Sequence, residues 1–450
     1  MAKPTQWQPD NSKIPMPTTA IQPSRRFWQT TTAVGLFAGY SGYYLCRSNL
    51  AVAAPLIIKD FADQGIDKEV MGQIASAGVV AYAVGKVASG LLGDVLLGGK
   101  RIFLLGMLAS VAATFVFGLG TGAAVFFAAW IVNRAVQSMG WGGLVKVTGN
   151  WYSYRSYGKI MGLLSLSYLF GDIVAKLCLG QMIRWGADWR QLFFMAGGTL
   201  LLIAAIEFWA VRNDPESMGF EPPETNPDNL FKETDPARAQ PKLTEILGVY
   251  FRSLPFVLLL IMSFGLTAIR EAFNFWLPTY LFESAGMTEA TASQFSSLYP
   301  VFGMVSILSA GFLSDTLFKG KRSVVILGGC LLMTIVLSLM GLGLKGSLLP
   351  LVFSSLIGLL LLGPYSFLAG AMSMDLGGRQ GASTAVGMVD GVGYLGSVLS
   401  LWLTGWLAQH SGWNSAFVAL AIIAALTAIA AAVFFWTQDR KTASQPPKEE

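Results

Sequence analysis

The chain has 450 residues, 53% of them hydrophobic and only 13% charged, with a mean hydropathy of +0.54. A soluble chain carries roughly a quarter charged residues, so a water-soluble globular protein is excluded. The net charge of +5 would suit a polyanionic partner, but its distribution along the chain argues against nucleic acid.

Apolar runs of ~20 residues can each span a bilayer as a helix, and about twelve occur here. They lie near 31–58, 70–92, 101–120, 122–147, 157–182, 190–211, 254–282, 291–314, 323–343, 347–370, 382–408 and 414–436. The fifty glycines suit close helix packing in lipid. With the N-terminus placed in the cytoplasm and the loops alternating, about 20 of the 31 Lys and Arg fall on the cytoplasmic side. This is the positive-inside bias, so the basicity reports topology.

In chain order, residues 1–28 are polar and Pro-rich and lack the basic-then-apolar order of a cleavable signal peptide. The first run contains "GYSGYYLCRSNLAVAAPLI" (39–57), with Arg47 and no acid to neutralise it. The second carries Lys86, placed to attract anions into a cavity, and leads into "GLLGDVLLGGKR" (90–101). The fourth holds Arg134 and Lys146, read as belonging to the first half's core or its cytoplasmic mouth. In the fifth, Asp172 and Lys176 stand four residues apart, so they can pair within one helix, with Tyr168 one turn earlier.

Residues 213–252, rich in Pro, Asp, Glu and Asn, break the apolar pattern and read as a cytoplasmic linker. The seventh run carries Arg270, Glu271 and Asn274. Glu271 points about 100° around the helix from Arg270, which makes it a poor direct partner. "GFLSDTLFKGKR" (311–322) follows the eighth run, and Asp390 in the eleventh can pair with any cavity cation. His410 reads as exposed on the outer side, and residues 438–450 as a polar tail. Cys46, Cys178 and Cys330 read as small buried packing residues. No metal site or disulfide framework is expected, and no cofactor. An enzyme is not expected either, for want of a phosphate-cradling Gly-rich loop or a nucleophile elbow.

The two loops repeat: seven of twelve positions are identical at an offset of 221 residues. Asp94 and Asp315 can cap neighbouring helix ends, and the Lys-Arg pairs ending in Arg101 and Arg322 sit at the headgroups. The expected organisation is a tail (1–28), a six-helix bundle (29–212), a linker (213–252), a second six-helix bundle (253–437) and a tail (438–450). These loops resemble the signature loop of the major facilitator superfamily. The resemblance implies an all-α membrane protein of twelve transmembrane helices, two bundles related by a pseudo-two-fold axis, with one substrate path between them.

Charges in the middle of apolar runs cost on the order of 2.5–3.5 kcal/mol each on insertion scales and mark function by default. Arg47 lies 16 residues into its run and Arg270 16 into its own, at an offset of 223. A pseudo-two-fold axis therefore sets them on opposite sides of one cavity. Two guanidiniums, always charged and shaped for bidentate contact, make a phosphate clamp. Tyr40, Tyr43 and Asn274 flank it, either as ligands or, for the tyrosines, as packing residues with satisfied hydroxyls.

The same residues resemble the organophosphate:phosphate antiporter family, which includes glycerol-3-phosphate and hexose-6-phosphate transporters. Its first-helix Tyr-Tyr-x-x-Arg falls on Tyr43, Tyr44 and Arg47. Its seventh-helix Arg and Trp-x-Pro-Thr-Tyr-Leu fall on Arg270, Trp276, Pro278, Thr279, Tyr280 and Leu281, and its second-helix Lys on Lys86. The resemblance implies that the two arginines bind the substrate phosphate and that exchange against inorganic phosphate is the usual reaction. The superfamily resemblance also implies a monomer, while the lack of a targeting peptide points to a bacterial inner membrane and the positive-inside bias to cytoplasmic termini. One departure stands out: where glycerol-phosphate-type members carry Trp-Asn-x-x-His-Asn-x-Gly-Gly, this chain has Leu164, Ser165, Tyr168, Leu169, Gly171 and Asp172. That leaves hexose phosphates, phosphoglycerate-like anions and other phosphorylated or carboxylated anions open. Two rivals share the fold: a membrane sensor of an external sugar phosphate, and a proton-driven carboxylate transporter using Asp172, Asp390 or Glu271.

Overall fold

A computed structural model describes residues 24–92, 98–223, 250–318, 321–343, 346, 348–368 and 372–439. Most of the expected tails and of the linker, and Asp94, lie outside these residues, and α1 begins at Arg25, within the expected N-terminal tail. The first half contains α1 (Arg25–Asp60), α2 (Lys68–Leu92), α3 (Gly99–Gly118), α4 (Ala123–Trp151), α5 (Tyr154–Ser165), α6 (Ser167–Arg184) and α7 (Trp189–Ala210). The second contains α8 (Leu254–Ser284), α9 (Glu289–Ser296), α10 (Leu298–Phe312), α11 (Arg322–Gly341), α12 (Leu348–Phe367), α13 (Ser373–His410) and α14 (Gly412–Phe434).

The fifth and eighth apolar runs are each broken once, between α5 and α6 and between α9 and α10. Serines sit at both breaks. Ser165 and Ser167 donate to the carbonyls of Met161 and Leu164, and Ser296 and Ser297 to those of Ser293 and Gln294. Such back-bonding bends helices. Hydropathy alone does not reveal it, because serine lowers a run's average only slightly.

Nine of the described helical segments are long and apolar enough to cross a membrane. The remaining long helices, α1, α2 and α4, carry Arg47, Lys86, Arg134 and Lys146. The charges these helices carry lower their mean hydropathy, although each also exposes apolar side chains such as Val34, Val84 and Val132. Conversely, Cys178, expected to be buried, is exposed on α6. A small apolar residue is as well placed against lipid as inside a protein, so an apolar run does not say which face points inward.

The pseudo-two-fold axis is visible in which helices touch. Within the first half α1 packs on α6 and α7, α4 on α2 and α3, and α3 on α7. Within the second, α8 packs on α13 and α14, α12 on α10 and α11, and α11 on α14. Between halves α2 lies along α13, α9 meets α6, and α1 meets α8. Exchanging the two halves reproduces this set.

The bundles close on each other at the face opposite the one where α1 begins and α14 ends. There, a Cβ on Gly72 would lie 2.7 Å from the Leu401 carbonyl oxygen, and one on Gly405 2.5 Å from that of Lys68. Only glycine allows α2 and α13 to approach so closely. Lys68 pairs with Glu283 across the seam at 2.9 Å, and the Trp413 indole N–H donates to the same carboxylate. Arg184 and Ser293 make further links between α6 and α9. The cavity between the bundles is sealed from that face.

Candidate functional site

Below the seal lies a cavity with about 680 Å³ of atom-free space, its mouth included. Its charged lining comes from Arg47, Arg134, Asp172, Arg270 and Glu271, with Tyr44, Tyr168, Trp130 and Asn274 among the other walls. Arg47 and Arg270 approach it from α1 and α8, the equivalent first helices of the halves. Pro55 and Pro278 each stand eight residues beyond their arginine inside these helices. A proline lacks the N–H that would bond four residues back, so the carbonyls of Ala51 and Asn274 lose their usual partners. Both residues line the cavity.

The arginines are held by aromatic faces more than by acids. The Arg47 guanidinium lies 5.0 Å from the Tyr44 ring centroid and 4.8 Å from that of Tyr82. Arg134 lies 4.9 Å from Tyr82 as well, so one ring serves two cations. Arg270 lies 4.3 Å from Tyr365. Among the described residues neither Arg47 nor Arg134 has a carboxylate within ion-pairing distance. Arg134, only 4% exposed, bonds Gln137 Oε1 at 3.3 Å. The Arg270 Nε–H is buried without an acceptor. Cation–π contact is worth roughly 0.5–2 kcal/mol, too little to offset several kcal/mol of desolvation per buried ion. The cavity therefore favours an anion.

Two expectations are corrected. Glu271 does reach Arg270: Oε1 accepts from Nη2 at 2.6 Å, with Asn274 Nδ2 at 3.5 Å. The 100° between adjacent residues separates their Cβ directions, but two long side chains leaning into one cavity meet at their tips. Arg134 belongs to the cavity wall, not to a separate core or mouth. Its position mid-run was the available signal. Tyr44 lines the cavity, and Tyr82, outside its wall, stacks on two of its arginines; Tyr82 stands one turn before Lys86, a spacing that shares a helix face.

Of the other expected residues, Tyr168 and Asn274 line the cavity, while Tyr40 and Tyr43 do not appear in its wall. Tyr43 donates to the Phe103 carbonyl at 2.6 Å, and Tyr40 packs against Tyr43, Tyr44 and Trp141. Both take the packing alternative. Tyr43→Phe is accordingly expected to leave ligand binding unchanged and to lower stability by about 1 kcal/mol, the net worth of one hydrogen bond, read by thermal unfolding in detergent.

Lys86 also lies outside the cavity wall. It pairs with Asp390 across the bundles at 3.2 Å and donates to the Tyr394 hydroxyl at 3.1 Å. Asp172 takes Lys176 Nζ at 2.8 Å and the Ser48 hydroxyl at 2.5 Å. Of the loop residues, Arg101 is exposed and Arg322 pairs with Asp375 at the start of α13; the side chain of Asp315, like all of Asp94, is outside the described residues. His410 ends α13, exposed and stacked on Trp406.

Comparison with known proteins agrees with this architecture. The Major Facilitator Superfamily model matches residues 36–401 and 351–450. A probable hexose phosphate transport protein of Chlamydia muridarum is 28% identical over 427 residues, covering 89% of each chain. The membrane sensor protein UhpC of Salmonella typhimurium is 26% identical over 420 residues, covering 90% of this chain and 91% of the sensor. The inward-facing crystal structure of a bacterial homologue of the human lysosomal transporter Spinster superposes with a TM-score of 0.70. It is 14% identical and covers 94% of this chain and 99% of its own, a likeness of fold alone. The chain thus belongs to the Major Facilitator Superfamily, as an integral membrane protein whose relatives include proteins named for hexose phosphate transport and for membrane sensing.

Proposed function

We propose that this protein exchanges an organophosphate, a sugar phosphate or similar phosphorylated anion, for inorganic phosphate by alternating access, with the phosphate held between Arg47 and Arg270. The observation that carries this reading is the cavity itself: three arginines face it, and among the described residues only one of them is paired with a carboxylate. The family and the sugar-phosphate relatives support the same class of cargo.

Exchange follows from the charges. Reorienting the unloaded carrier would close the bundles over guanidiniums that no described carboxylate neutralises, at a cost of several kcal/mol each. A bound phosphate dianion removes that cost, so the loaded form reorients readily. Glu271 offsets one arginine and leaves two, so the argument for exchange holds. On this reading the protein is a monomer in a bacterial inner membrane with both termini in the cytoplasm.

The test is entry of radiolabelled phosphate into liposomes carrying the purified protein and loaded with unlabelled phosphate. Saturable uptake that stops when internal phosphate is omitted is the expected result. A second reading, a sensor of external sugar phosphate, is favoured by the sensor among the relatives. It predicts sugar-phosphate binding with no turnover in the same liposomes.

A further inference from the structure

The charged groups in and beside the cavity fall into pairs with a remainder. Asp172 is cancelled by Lys176 at 2.8 Å, and Lys86 by Asp390 at 3.2 Å. Among the described residues of the wall, Arg47, Arg134 and Arg270 then stand against Glu271 alone. Arginine does not lose its proton in proteins, so the wall carries two uncompensated positive charges while Glu271 is ionised. A phosphate monoester with its second proton removed carries two negative charges.

We propose that Glu271 is a specificity-determining residue that sets this charge. With it the cavity accepts a dianion, and a phosphorylated anion bearing an additional carboxylate is turned away. The inference rests on the organophosphate reading above and names the charge class of the cargo. The geometry shows how one residue does this without blocking the site. Glu271 occupies only the Nη2 corner of the Arg270 guanidinium, and the buried Nε–H of the same group keeps no acceptor. A phosphate can therefore share Arg270 with Glu271 by taking the Nε side. A third negative charge on the ligand would meet no further cation among the described residues of the wall and would face the Glu271 carboxylate, an arrangement that like-charge juxtaposition penalises.

Glycerol 3-phosphate and 3-phosphoglycerate share a three-carbon skeleton and differ by the carboxylate, so they isolate charge from size. The experiment measures each as a competitor of radiolabelled inorganic phosphate for the full chain in detergent, near pH ~8, where phosphate monoesters are dianionic. The wild type is expected to favour glycerol 3-phosphate. Glu271→Gln should shift the ratio toward 3-phosphoglycerate by at least about tenfold, equivalent to about 1.4 kcal/mol, while Glu271→Asp should leave it in place. Arg134→Gln, which removes a positive charge, should shift it about tenfold the other way, and decides the matter if Glu271→Gln does not fold. A ratio unchanged in a variant that still binds phosphate overturns the role of Glu271 and leaves the phosphate site standing. A wild-type protein that binds no phosphate overturns the organophosphate reading itself.

Discussion

Arg47→Lys is expected to lower the initial rate of phosphate exchange by about 100-fold, although the charge is kept. Lysine offers a point charge in place of a planar fork. It loses one charge-assisted hydrogen bond to the phosphate, worth roughly 1.5–3 kcal/mol. It also loses most of the stacking on Tyr44 and Tyr82, about 0.5–1 kcal/mol. Together these approach the ~2.7 kcal/mol that corresponds to a factor of 100. The lysine also leaves Arg134 sharing Tyr82 with a shorter, rounder cation, so the ring no longer aligns two guanidiniums. Arg101→Lys, at an exposed position in the first turn of α3, is the matched control and should exchange at the wild-type rate. Near-normal exchange by Arg47→Lys in the liposome assay would remove Arg47 from the phosphate site.

The fold was legible because a bilayer forces a simple pattern. Each crossing needs a long apolar run, and the duplicated "GLLGDVLLGGKR" and "GFLSDTLFKGKR" exposed the internal repeat. The offset that joins those loops also paired Arg47 with Arg270, and both line the cavity. The family resemblance follows from the same residues and agrees with the superfamily match. What stayed hidden depends on rotation about helix axes and on side-chain reach. A run of apolar residues says that α4 crosses the membrane but not that Arg134 faces the cavity rather than its own bundle. Likewise, the step from Arg270 to Glu271 sets two Cβ directions apart but cannot show that the tips converge. Tyr40 and Tyr43, which the sequence left open between ligand and packing roles, depend on the same rotation: they share a stretch with Arg47, yet the helix carries them against Trp141 and Phe103. The serine-induced breaks before α6 and after α9 belong to the same class, since they arise from hydroxyls turning back onto carbonyls.

Lys176→Met is expected to be the most destabilising single change near the cavity. Lys176 is fully buried, and its ammonium meets Asp172 at 2.8 Å within the same helix. Removing it leaves the Asp172 carboxylate in a membrane interior with the Ser48 hydroxyl as its remaining partner. Breaking a buried pair from one side costs about 3–5 kcal/mol, enough to lower the thermal midpoint of the detergent-solubilised protein well below the wild type. Pairing the change with Asp172→Asn removes the orphaned charge, while the side-chain amide oxygen introduced there still accepts from Ser48. The double variant should therefore recover most of the loss, leaving a coupling between the two sites of at least ~2 kcal/mol. Two independent surface charges would show no such recovery. Exchange separates the remaining alternatives for this pair. If the recovered double variant transports phosphate, Asp172 and Lys176 serve to hold α6 against α1, where Ser48 resides. If it is stable and binds phosphate but does not exchange it, the ion pair belongs to the moving parts, and its opening and closing accompany the reorientation of the two bundles.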